Sequence, residues 1–238
     1  MTAPAAARPA SSSVYSTPAF WERLWRGSGI NFVVFFVITC FIYGQLPGLH
    51  SPSSELVGFY DGNRTRILVA TALSGLNILN LMWFAAALRT TLADAGQDGW
   101  GAAATAASAA FGALFLLLVT IGATLTSAIA GTGTAMLVSG LHDFGWALIV
   151  SSSFPRAMLI MSAAFGLWRA GLISPSLFAV GVGAVVLSVL GGTTWMGEGL
   201  WAPDGAFSRY VTPAIGLGWI LIVTRVLLAR SPSTRAGW

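Results

Sequence analysis

No lysine occurs among the 238 residues, so all twelve basic side chains are arginines, set against eight Asp and Glu. A Schiff base on a chain lysine, as retinal-type photoreceptors require, is therefore excluded. The single cysteine, Cys40, allows no intrachain disulfide and reads as a packing residue in the first apolar run. His50, His142 and that one cysteine are too few and too far apart for a metal ligand set, and both histidines fall at span edges rather than facing each other as a bis-histidine haem requires. The run Gly131-Thr132-Gly133-Thr134 lacks the lysine of a phosphate-binding loop and reads as a turn. The sequence thus calls for no metal and no cofactor. Charge of either sign is scarce at 8% of residues, against 55% hydrophobic, and the mean hydropathy is +0.77. Such a balance excludes the charged surface of a soluble domain, and no nucleic-acid partner is expected.

What is present is apolar length. A span needs about 20 mainly apolar residues to cross roughly 30 Å of hydrocarbon. Six stretches meet that need by length and punctuation: 29–46, 66–88, 106–128, 143–168, 175–194 and 211–229. The expected fold is all-α, a polytopic membrane bundle of six helices. Residues 1–26 are expected to form a flexible cytoplasmic tail, 27–230 the transmembrane domain and 231–238 a second cytoplasmic tail. The first apolar run follows Arg23 and Arg26 like a signal sequence, yet no small-x-small cleavage pattern follows it, so an uncleaved anchor is expected. With both termini inside, Arg8, Arg23, Arg26, Arg89, Arg169, Arg225, Arg230 and Arg235 face the cytoplasm, whereas Arg64, Arg66 and Arg209 lie outside. Six tryptophans (Trp21, Trp25, Trp100, Trp168, Trp195 and Trp201) fall near span ends and read as interfacial anchors. Small residues at helical spacing, Gly101, Thr105, Ser108 and Gly112, then Gly181, Ala184, Ser188 and Gly191, read as packing faces.

The fourth span carries the sharpest signal. It holds Ser151-Ser152-Ser153-Phe154-Pro155 followed by Arg156, and the proline leaves the Ser151 carbonyl without its helical donor. From Arg156 to Arg169 is about 20 Å at helical rise, which puts the guanidinium well inside the hydrocarbon. Embedding it costs at least about 2.5–3.5 kcal/mol, so it needs protein or ligand around it. A helix ending at Pro155 would instead place Arg156 in water, but 157–168 is then too short to return across the bilayer without a re-entrant segment. No acid lies within reach along the sequence, and Asp143 is thirteen residues away on the same helix. Three partners are in view: the carbonyls freed at the kink, the amides of Asn77 and Asn80, or an anionic ligand held by a bidentate contact. His142, Trp146, Ile149, Ser153 and Arg156 follow one helical stripe, so Trp146 and Ser153 join Arg156, Asn77 and Asn80 as candidate ligand-binding residues.

Catalytic patterns are weaker. His142 beside Asp143 invites an acid–base reading, but neighbours on a helix point about 100° apart and are expected to find separate partners. Asp61 and Glu198 are further weak candidates at the same outer mouth. The favoured function is binding or transport of a small amphipathic or anionic molecule, an anionic lipid among them, in an intramembrane cavity. The alternatives are an intramembrane enzyme acting on a lipid or isoprenoid, and a structural subunit with a membrane-protein partner or further copies of itself.

The motif Phe59-Tyr60-Asp61-Gly62-Asn63-Arg64-Thr65-Arg66, with Leu81-Met82-Trp83-Phe84 and Leu88-Arg89, resembles a pattern in uncharacterised actinobacterial six-helix membrane proteins of a domain-of-unknown-function family. His142-Asp143-Phe144-Gly145, Phe154-Pro155 and Trp168-Arg169 extend the likeness over most of the chain. The resemblance implies a six-helix bundle in a bacterial cell (inner) membrane, and no activity.

Overall fold

A computed structural model describes residues 18–229, and among these the chain is helical throughout, with no strand. The expected C-terminal tail, and residues 1–17 of the N-terminal one, lie outside the described residues. The remainder of the expected N-terminal tail is ordered: Pro18–Arg26 forms helix α1. Arg26 explains it, bonding Glu22 one turn back at 2.7 and 3.1 Å and the Leu227 carbonyl near the far end of the chain at 3.4 Å.

Helix α2 (Ser28–Tyr43) continues from α1 with a bend of 48°. A short helix that the hydropathy pattern does not reveal, α3 (Ser53–Gly62), leads into α4 (Arg64–Asp94). The latter stops where Gly96 turns left-handed at φ +71°, letting Gln97 N–H reach the Leu92 carbonyl at 2.7 Å. Helix α5 (Asp98–Thr124) extends to Ile129 through a π-helical turn. Next, α6 (Ala135–Ser151) begins eight residues before the expected start of the fourth span, because the Thr134 hydroxyl caps it by accepting from Leu137 N–H. Helix α7 (Ser153–Arg169) follows after a break at Ser152, and α8 (Pro175–Gly191) opens on a Ser174 cap with proline in its first turn. Helix α9 (Thr212–Ala229) is preceded by a π-helical turn over Phe207–Val211.

Four helical stretches are long and apolar enough to cross a membrane, Arg64–Asp94, Asp98–Ile129, Ala135–Arg169 and Phe207–Ala229, and the bent pair α1 and α2 makes five. Helix α8 is apolar but has only 17 residues, about 26 Å of rise. The chain does not end a helix at Pro155 to expose Arg156, since α6 and α7 run on as one 35-residue stretch. The outer surface of the bundle carries Val34, Val37, Ile38 and Phe41 on α2 and Leu76, Leu79, Met82 and Trp83 on α4. An apolar belt of that extent suits hydrocarbon contact. Cys40 belongs to this exposed face and not, as expected, to the packed interior.

The helices form a ring. Helix α4 lies between α2 and α5, α5 packs on α7, and α9 closes the circuit between α7 and α2, while α8 lies outside on α7 and α9. Small residues permit the close approaches: a Cβ on Gly181 would meet the Trp219 ring at 2.6 Å and Ala164 at 2.8 Å, and one on Gly101 would meet the Arg89 backbone at 3.1 Å. The expected small-residue faces on α5 and α8 are thus packing surfaces. Several end-placed tryptophans also stack on phenylalanines: Trp100 on Phe165, Trp168 on Phe178 and Trp201 on Phe207, with centroids 5.3, 4.5 and 4.3 Å apart.

Candidate functional site: a buried arginine in an apolar cavity

Helix α7 buries the stripe Ser153, Arg156, Ile160, Ala163 and Leu167, spaced three and four apart, and this register turns Arg156 inward. Its side chain is 8% exposed. The stem fits against α9 because position 216 is glycine; a Cβ there would stand 2.7 Å from the Arg156 Cδ. One Nη2 hydrogen goes to the Ser153 hydroxyl at 2.7 Å, one turn back on α7. Nε has no hydrogen-bond partner among the described residues. Of the three partners that the sequence brings into view, the kink does supply one, but through a serine hydroxyl and not a freed carbonyl.

Arg156 lines a cavity of about 100 Å³ inside the ring. Six aromatic residues, Phe32, Phe36, Phe84, Phe111, Phe115 and Trp219, wall it together with aliphatic side chains; besides Arg156, its polar side-chain groups are the Ser152 hydroxyl and the Trp219 indole N–H, the latter unpartnered among the described residues. No carboxylate of the described residues lines it. The Ser152 hydroxyl donates its hydrogen to the Ile149 carbonyl at 2.6 Å. Phe36 on α2 and Phe115 on α5 stack with centroids 5.8 Å apart, and both stay partly exposed. A fixed cation with an unused donor in apolar surroundings is costly by itself and becomes favourable when an anion with a hydrocarbon body fills the space.

No protein-family model, curated protein or solved structure matches this chain. What the site can do is read from its chemistry alone.

One helical end above the cavity, the segment from Gly44 to Pro52 is tied down by side chains of α6 and beyond. Trp146, 1% exposed, donates from Nε1 to the Pro47 carbonyl at 3.1 Å, and the Arg209 guanidinium sits 5.0 Å from its ring centroid. His142 contacts the Gly48 carbonyl through Nε2 at 3.0 Å and the Tyr60 hydroxyl through Nδ1 at 2.9 Å. A carbonyl only accepts, so Nε2 carries the hydrogen and Nδ1 accepts from Tyr60. Asp143 instead accepts from the His50 backbone and faces its ring, both at 3.2 Å, and Asp204 accepts from Leu49 N–H at 2.9 Å. His142 and Asp143 therefore serve separate partners.

The expected set of ligand-binding residues divides. Arg156 and Ser153 are brought together; Trp146 belongs to the loop anchor above and does not line the cavity. Neither Asn77 nor Asn80 bonds Arg156: Asn77 is fully buried on α4 with both amide atoms unpartnered among the described residues, and Asn80 donates back to the Leu76 carbonyl at 3.2 Å. Among the weak catalytic candidates, Asp61 and Glu198 are exposed and in hydrogen bonds with neither His142 nor Asp143. Sequence reasoning misses the phenylalanine wall and the loop anchor of Tyr60, His142 and Trp146. The available signal is Leu56 and Tyr60, one turn apart on a segment opened by Pro52 and a serine pair.

Proposed function

We propose that this chain is a six-span protein of the bacterial cell (inner) membrane, with both termini cytoplasmic, that binds or transports a small amphipathic or anionic molecule in the cavity headed by Arg156. Helix α8 serves as the fifth crossing despite its length, as a short span does where the bilayer thins locally. The reading rests on one observation: a guanidinium 8% exposed, with Nε unpartnered among the described residues, lines an aromatic cavity that has no carboxylate on its wall. A purely structural arginine would be expected to saturate its donors with carbonyls or an acid, because an unpaired buried donor costs about 1–3 kcal/mol.

The test is purification of the full chain with native lipid, followed by mass spectrometry of co-eluting molecules, for the native protein and for Arg156→Leu. The expected result is an anionic molecule retained by the first and lost from a well-folded second. Identical profiles from two folded proteins would remove the ligand, and failure of Arg156→Leu to insert or assemble, with nothing anionic retained by the native chain, would make the arginine architectural.

A further inference from the structure

We infer that the ligand of this cavity is a compact monocarboxylate, a carboxylic acid whose hydrocarbon body is a short chain of a few carbons. The inference rests on the binding role proposed above and names its ligand class.

Charge comes first. Among the described residues, Arg156 is the only charged one on the wall. One guanidinium neutralises one negative charge, whereas a phosphomonoester carries about −1.5 to −2 near neutral pH and would bring uncompensated charge into an apolar chamber. Donor geometry agrees. One Nη2 hydrogen meets the Ser153 hydroxyl and Nε–H has no partner among the described residues, so the guanidinium keeps donor capacity for a single carboxylate. A phosphate or sugar has more polar atoms than this wall can satisfy, since Arg156, Ser152 and the indole N–H of Trp219 are its only polar side-chain groups among the described residues. The rest of the ligand must therefore be hydrocarbon.

Volume sets the size. A dry apolar cavity of about 150 Å³ holds a benzene molecule, so one of about 100 Å³ takes a body smaller than that ring. A two-chain lipid or a long acyl tail does not fit without parting a wall. The stacked pair Phe36 and Phe115 is the wall best placed to limit length, because it bridges α2 and α5 at the partly exposed side of the chamber.

Ligand-induced shifts of the thermal unfolding midpoint, measured on the full chain in nanodiscs, test the class. The probes are propionate, isobutyrate, octanoate, inorganic phosphate and isobutanol. Propionate and isobutyrate should raise the midpoint; phosphate, octanoate and isobutanol should not do so at tenfold higher concentration. Arg156→Leu should weaken isobutyrate roughly tenfold or more, while Phe115→Ala should admit octanoate. Equal or stronger binding of phosphate or octanoate by the native chain would overturn the class, yet leave an anion site standing if the response depended on Arg156. Silence from all five probes would overturn it too, and if nothing anionic co-purified the binding role would fall with it.

Discussion

Tyr60 and Arg156 are both polar groups taken out of water, and they resolve the cost in opposite ways. Tyr60 is 3% exposed and donates to His142, which in turn holds the Gly48 carbonyl, so every atom in that chain of contacts has a complement. Tyr60→Phe leaves the His142 Nδ1 acceptor unpaired in a buried place. The expected loss is about 1–3 kcal/mol of unfolding free energy, read by denaturation in detergent micelles. Burial also pushes the Tyr60 phenol above its ordinary value. A folded-state value raised above the unfolded one favours the neutral hydroxyl, so its contribution is complete below about pH 10 and declines as pH climbs beyond it. Stability of the native protein should accordingly fall above that pH, and Tyr60→Phe should show a shallower fall over the same range. An equal alkaline slope in the two proteins would place the hydroxyl outside the anchor.

Glycines separate helix packing from site geometry at the scale of elements. Gly191 of α8 faces Thr212 of α9 and Ser153 of α7, with a built Cβ 2.6 Å from the threonine methyl and 3.2 Å from the serine hydroxyl. Both neighbours are short side chains held on packed helices, so Gly191→Ala should cost about 1–3 kcal/mol and lower the unfolding midpoint. At Gly216 the clashing atom is the flexible stem of Arg156, which can swing away. Gly216→Ala should thus leave the midpoint nearly unchanged while weakening retention of whatever anion the native chain carries, because the guanidinium is displaced. Gly75, in the middle of α4 with open space around it, is the control, where alanine is expected to be neutral or stabilising by roughly 0.5–1 kcal/mol. If Gly216→Ala retained the anion fully, the stem would not be what positions the charge. Elements are legible in the sequence where one strong local cause acts: the apolar runs, the proline after three serines, the small-residue faces of α5 and α8. Those whose cause is distant are not. Nothing near Arg26 announces the Leu227 carbonyl that helps order α1, and nothing near Pro47 announces Trp146, because both contacts exist only once the ring has closed. The inward turn of Arg156 is readable from its stripe, while the phenylalanines facing it come from three other helices whose register is set by packing.

At the scale of the whole molecule, the two ends of the ring differ in kind. One end gathers the loop after α2, α3 and the segment before α9, stitched by Asp143, Asp204, His142 and Trp146. The other carries Arg23, Arg26, Arg89, Arg169 and Arg225 near helix termini, the excess that retention of arginine on the cytoplasmic side would produce. The stitched end would then face outward and form a fixed cover over the cavity, so that a ligand enters from the bilayer or the cytoplasmic side. This orientation has a direct test, since Cys40 is the only native thiol and can be replaced by alanine. Single cysteines at Asp61 and Glu198, both exposed on the stitched end, should react with an impermeant maleimide in intact cells; those at Asp94 and Gly171, exposed on the opposite end, should react only in inverted vesicles. The reverse pattern would turn the protein over. Labelling of both pairs from the same side would break the alternation of crossings itself, and with it α8 as a span, because Glu198 and Gly171 lie on either side of that one helix.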